Sequence, residues 1–154
     1  MDETRRGAEA SKGTRFVVPG KPRGKGRPRF ARMGNYVRTY TPAETAAYEN
    51  LVALEYQSAG GVLMECPVEV TILASFAPPK SASKKMRDAM LNGQIVPNCK
   101  PDIDNIIKAV LDGLNGVAYK DDTQVINVQA ARYYGAVAEV EVWVVPNRGG
   151  RFLK

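Results

Sequence analysis

The chain has 154 residues, with 22 Lys and Arg against 16 Asp and Glu, two cysteines and no histidine. That length predicts one domain around one core. The lack of histidine excludes His-ligated zinc sites, Ser-His-Asp triads and histidine general bases, leaving catalysis to carboxylates, lysine or a hard metal ion. No stretch approaches the ~18 apolar residues that a membrane span needs. The opening MDETRRGAEASKG lacks the apolar core of a secretory signal. Cys66 and Cys99 are too isolated for a CxxC site or a disulfide framework, so a reducing cytosol is the expected location. The net charge of +6 is uneven: residues 1–40 hold 11 Lys and Arg against three Asp and Glu, a local +8, and the remainder comes to −2. A basic arm on an acidic centre suits a protein that grips phosphates. It suits a soluble basic tail, or a nucleic-acid binder without chemistry, equally well.

In chain order, residues 1–13 read as a disordered tail and Arg15–Pro19 as a short strand. The run Gly20–Phe30, GKPRGKGRPRF, mixes glycine and proline with closely spaced Lys and Arg. This predicts a loop suited to following a phosphate backbone. Arg29–Tyr40 reads as a hairpin turning at Gly34-Asn35. Phe30 and Tyr36 are placed to stack on unpaired bases, although a place in the hairpin's own core is the plainer expectation for Phe30. Thr41-Pro42-Ala43-Glu44 has the pattern of a capping box, with Thr41 as N-cap and Pro42 at the first helical position. A helix is expected from there to about Gln57, burying Ala47, Leu51 and Leu54 with Tyr48 and Val52 beside them. Pro67–Phe76 alternates as a strand. Ser81-Ala82-Ser83 caps a short basic helix, Lys84–Leu91, ended by Asn92-Gly93. Thr123–Tyr134 and Ala138–Val145 complete a strand pair, and PNRGGRFLK at the end reads as a mobile basic tail. The fold class is therefore α+β: a single domain over residues 14–146, with a mixed or mostly antiparallel sheet and helices on one face.

Between the basic helix and the last strands lies Lys100–Val125, KPDIDNIIKAVLDGLNGVAYKDDTQV. Ile103, Ile106, Ile107, Val110, Leu111 and Leu114 recur at helical spacing, and Asp104, Lys108 and Asp112 stack on the opposite face. If the chain then returns alongside this helix, Asp121 and Asp122 come back near its first turn and several carboxylates meet. Carboxylates that dense repel unless a cation sits among them. Mg²⁺, a hard ion that takes oxygen ligands and substrate phosphates, suits such a site. Each acid also has a plain structural role: Asp102 as an N-cap, Asp104–Lys108 as an i,i+4 pair, Asp121-Asp122 as turn residues, and Asp112 too far along the helix to join.

The run KPDIDNIIKAVLDGLNG followed by Asp121-Asp122-Thr-Gln-Val resembles the signature of the RusA family of Holliday junction resolvases. The likeness extends to GKGRPRF, YTPAET and PPKSASKKMRDAM, and so covers most of residues 16–145. It implies a RusA-like fold and a homodimeric, Mg²⁺-dependent endodeoxyribonuclease, for which Mn²⁺ can substitute. Such an enzyme resolves four-way DNA junctions by paired nicks in recombination and repair, and is often carried by phages. It implies metal-binding acids at Asp102, Asp104 and Asp122 and an essential lysine at Lys108, the four forming the catalytic set. DNA contacts are expected from Lys25, Arg27, Arg29, Lys84, Lys85 and Lys100. The partner is branched DNA, with no membrane and no small-molecule substrate, in the cytoplasm of a bacterium or phage-infected cell. Two alternatives stay open: a non-enzymatic basic nucleic-acid-binding module, and a nuclease for other branched DNA.

Overall fold

A computed structural model describes residues 12–26, 29–40 and 42–153. The central sheet has four strands in the order β1 (Thr14–Pro19), β6 (Glu139–Pro146), β4 (Val68–Phe76), β5 (Val125–Tyr134). β6 pairs antiparallel with both β1 and β4, whereas β4 and β5 run parallel, so the sheet is mixed and β5 and β6, expected as partners, are separated by β4. A parallel pair needs a crossover rather than a hairpin. Two helices supply it, α2 (Lys84–Leu91) and α3 (Ile103–Leu114), while α1 (Ala43–Ser58) precedes β4. Strands β2 (Arg29–Met33) and β3 (Tyr36–Tyr40) form a separate two-stranded sheet. Among the described residues, no helix is long and apolar enough to cross a membrane.

Alternation in β4 decides which face is dry. Val68, Val70, Ile72, Ala74 and Phe76 are buried, joined by Val140, Val142 and Val144 of β6 and Phe16 and Val18 of β1. Such a side chain contributes roughly 1.5–3 kcal/mol when fully buried, so this face fixes the register. Helices α1 and α3 cover it, packed on one another. Gly113 permits their approach, since a Cβ there would lie 2.7 Å from Cβ of Val52.

The expected burial of α1 is corrected. Its buried line is Thr45, Tyr48, Val52 and Tyr56, whereas Ala47 and Leu54 are exposed and Leu51 is half-buried. The two tyrosines carry large apolar bodies and win the inner face from the smaller alanine. The helix also starts one residue late: Pro42 is the flanking residue, with no side-chain cap. Thr41, the expected cap, lies outside the described residues, as do residues 1–11 and Arg27. Ser83 caps α2 as expected, its hydroxyl accepting from the Met86 amide at 3.2 Å. In α3 the stripe holds at Ile106, Val110 and Leu114, with Ala109 and Gly113 also buried, but Ile103 is exposed. Phe30 is 73% exposed, not packed inside its hairpin. The start of the final tail is tied down, the Asn147 amide donating to Pro67 O at 2.7 Å.

Candidate active site

Helix α3 organises two chemically different ends. At its N-terminus Asp102 occupies the N-cap position, yet its carboxylate caps no backbone amide. Instead Oδ1 accepts from Nδ2 of Asn105 at 2.6 Å, and the Lys100 ammonium stands 3.5 Å from Oδ2. The Asn105 hydrogen bond, with the charge of Lys100 behind it, holds the Asp102 carboxyl below its ordinary pKa and keeps it ionised. Asp104 and Lys108 are both exposed on α3. No ion pair joins them among the described residues, although their spacing allows one.

The basic loop that follows β1 lies directly on this end of α3. The Lys25 amide donates to Asn105 O at 3.0 Å and the Gly26 amide to Oγ1 of Thr45 at 3.1 Å. Glycine is required at position 24, since a Cβ there would lie 2.8 Å from Cβ of Pro101 and 3.0 Å from Cβ of Asn105. Between loop and helix opens a cleft of about 870 Å³, lined by Lys21, Arg23, Gly24, Lys100, Asp102 and Asn105 among others. Cationic side chains thus face an ionised carboxylate beside a helix N-terminus, a setting that attracts an anionic phosphate.

Lys25, expected to contact DNA, has its charge engaged within the protein. Its Nζ lies 2.6 Å from Oδ2 of Asp112 and 2.8 Å from Oε1 of Glu49. Burial lowers the Lys25 pKa, but the hydrogen bonds its ammonium donates to Asp112 and Glu49 outweigh it and the net shift is upward. This bridge clamps the loop to α1 and α3 at once, and it gives Asp112 its structural role. Lys84 and Lys85 are exposed on α2, and Lys100 is exposed at the cleft. For Arg29 only the backbone, in β2, is described.

Asp121 and Asp122 lie at the other end of α3. A hydrogen bond that protonated Asp122 donates to Asp121, together with the charges of Asp121 and Asp112, raises the Asp122 pKa. Asp112, Asp121 and Asp122 all raise the Tyr119 phenol as well, behind the larger effect of its burial. The pair therefore sits by the last turns of α3. Asp112 is eight residues from Asp104, about 12 Å along the helix axis. The acids that shift Asp122 are Asp121 and Asp112, not Asp102 or Asp104. The pair precedes β5, and it is the far end of β5 that reaches the N-terminus of α3. There Nη1 of Arg132 donates to Cys99 O at 2.7 Å and Pro101 O at 3.2 Å. Among the described residues, no group of three or more His, Cys, Asp or Glu is arranged to hold a metal ion. Hard carboxylate oxygens such as those of Asp102, Asp104 and Asp122 are the donors Mg²⁺ takes.

Three positioning residues escaped the sequence reading. Asn105 was legible, being three residues after Asp102 and so one turn away. Arg132 was not, since its partners are 31 and 33 residues distant. Gln124 was visible only as part of a motif. Its buried amide donates to Met64 O and Cys66 O at 2.9 and 3.1 Å and accepts from the Lys120 amide at 2.9 Å, which fixes the turn carrying Asp121 and Asp122.

Comparison with known proteins places this geometry in a family. Over 133 residues the chain is 34% identical to the uncharacterized protein YqaN of Bacillus subtilis (strain 168), covering 84% of this chain and 94% of that protein. The profile of the family described as Endodeoxyribonuclease RusA matches residues 19–145, which takes in the basic loop, the hairpin, the three helices and the sheet strands β4, β5 and β6, with β1 almost wholly outside. The chain belongs to the RusA endodeoxyribonuclease family, a family of DNA-cutting hydrolases.

Proposed function

We propose that this protein is a structure-selective endodeoxyribonuclease that resolves four-way DNA junctions by paired, divalent-metal-dependent nicks, acting as a homodimer in recombination and repair. The observation that carries the reading is the cleft that sets Lys21, Arg23 and Lys100 against the ionised Asp102 in a RusA-family chain. Lys21, Arg23 and Lys100 grip the phosphate backbone without reading its sequence. Asn105 and Lys100 keep Asp102 deprotonated, as an oxygen donor must be. Lys108 presents a cation beside Asp104 for charge that develops at phosphorus. Mg²⁺, when bound, supplies a Lewis acid and a more acidic water. Asp102, Asp104 and Asp122 are its proposed ligands. Asp122 is influenced by Asp112 near the last turn of α3, which favours an ion held by carboxylates from two chains. The two-fold dimer, which also matches the near two-fold symmetry of an open junction, is therefore part of the proposal.

The test is a panel of labelled four-way, three-way, flap and linear duplex DNAs, incubated with Mg²⁺ or with EDTA. Paired nicks in the four-way junction alone, abolished by EDTA, are expected. Asp102→Asn is expected to bind the junction and lower cutting by about 10²–10³-fold, in the range for loss of a group that acts in the transition state. Binding that ignores EDTA and leaves no nicks would make the protein a binding module. Equal cutting of flaps would widen the substrate class.

A further inference from the structure

The hairpin β2–β3 stands apart from the rest of the molecule. It forms its own sheet, and every described side chain from Arg32 to Thr39 is exposed. Cross-strand register puts Phe30 opposite Thr39 and Arg32 opposite Val37, while Ala31 faces Arg38 and Met33 faces Tyr36. Paired residues share a face and neighbours along a strand alternate. One face therefore carries Phe30, Arg32, Val37 and Thr39, and the other carries Ala31, Met33, Tyr36 and Arg38. Both faces hold large apolar groups in solvent: Phe30 is 73% exposed and Val37 66% on the first, Tyr36 80% and Met33 61% on the second. A ribbon serving only as a connection would bury one face or make it polar, and such patches usually mark a contact surface.

Charge and position select the occupant. The sequence has no Asp or Glu between Glu9 and Glu44, while Arg29, Arg32 and Arg38 lie in the ribbon itself. Both ends of the ribbon are rooted at the phosphate cleft: Gly26, just before it, and Pro42, just after it, line that cleft. Five residues per strand give a reach of about 16 Å at ~3.3 Å per residue. The ribbon thus projects from the rim of the site with cations along it and aromatic rings on both faces. Gly34, at φ +62°, makes the tight reversal at its tip. Aromatic rings interleaved with Arg are a stacking platform for unpaired bases, and each stacked base stabilises the complex whatever its identity. A linear duplex keeps its bases stacked and offers these rings nothing, whereas a branch point interrupts the stack and lets the base pairs beside it open.

The geometry points to the β2–β3 hairpin as a branch-point probe: Phe30 and Tyr36 stack on unpaired nucleobases at the crossover while the cleft holds the backbone. This rests on the nuclease reading above and supplies its structural selectivity. The experiment uses the full chain in EDTA, so that binding is read without cutting. The ligands are a four-way junction carrying 2-aminopurine at the branch point and a linear duplex of the same composition. Wild-type protein is expected to change the 2-aminopurine fluorescence and to prefer the junction. The double variant Phe30→Ala, Tyr36→Ala should lose the fluorescence change and bind the junction at least tenfold more weakly, with duplex affinity unaltered. Tyr36→Phe, which keeps the ring, should behave as wild type. A double variant with wild-type fluorescence change and junction affinity overturns the inference. So does a double variant whose mass by light scattering falls to that of a smaller assembly, which would make the hairpin a contact between copies. A wild-type protein that binds junction and duplex alike overturns the inference too, whereas the nuclease reading fails only if the Mg²⁺ panel yields no nicks, a result distinct from these.

Discussion

Two carboxylates, of Asp102 and Asp122, stand in opposite electrostatic settings. Asp102 is held ionised by the amide of Asn105 and the charge of Lys100. Asp122 is pushed toward its neutral form by Asp121 and Asp112. A carboxyl whose folded-state pKa is raised carries a penalty that is absent below the unfolded value, near 3.8, and fully present above the folded one. Asp122→Asn should therefore raise the melting temperature at pH 7 and leave it unchanged near pH 3, as read by calorimetry across that range. Equal shifts at both pH values would remove the charge repulsion as the cause. A bound cation would relieve the same repulsion, so the strain at Asp122 is consistent with the metal-binding role proposed for it. Lys25 illustrates the opposite economy. Its three-way bridge to Glu49 and Asp112 is partly sheltered, and removing the ammonium would leave two carboxylates facing each other.

At the scale of elements, α3 is positioned from both sides. The sheet takes its apolar stripe, and α1 packs so closely that Gly113 has no room for a side chain. Gly113→Ala adds helix propensity worth about 1 kcal/mol. The new methyl would nevertheless lie 2.7 Å from Cβ of Val52 and 3.0 Å from Glu49 O. Overpacking of this kind costs about 1–3 kcal/mol, so the substitution is expected to lower stability overall. Val52→Ala should cost less in the Gly113→Ala background than in the wild type, measured as a coupling energy in a denaturant double-mutant cycle. Additive effects would show that the two helices can move apart. The loop Lys21–Gly26 is held to both helices by the Lys25 bridge and two backbone amides. The cleft is therefore a fixed feature of the packing rather than a surface fold of a free loop.

For the whole molecule, the arrangement of acids at both ends of α3 has a consequence for the proposed dimer. If an ion takes Asp102 and Asp104 from one chain and Asp122 from the other, a mixed dimer of Asp102→Asn and Asp122→Asn chains pairs both lesions in one site and keeps the second site intact. Mixing the two inactive variants should then restore single nicks in a four-way junction, seen on denaturing gels, up to about half of the sites in mixed dimers by statistical pairing. A mixture as inactive as its parts would place each site within one chain.

Periodicity, caps and turn residues were enough to predict the elements. β4 reads from strict alternation, α2 from Ser83 and Asn92-Gly93, the hairpin from Gly34-Asn35, and the mixed α+β class from their order. These are local properties, set by backbone geometry within a few residues. The RusA motif was legible too, because the identities and spacing of Asp102, Asp104, Lys108 and Asp122 are written in the chain, and family membership followed. Tertiary structure alone decided which acids meet. Whether Asp122 joins the first or the last turn of α3 depends on the direction in which β5 crosses the sheet, and that is fixed by long-range pairing with β4. It likewise decided that Lys25 pairs with Glu49 and Asp112 and that Phe30 is exposed to solvent. Burial and charge pairing depend on neighbours brought from tens of residues away, a distance over which sequence patterns carry no directional information.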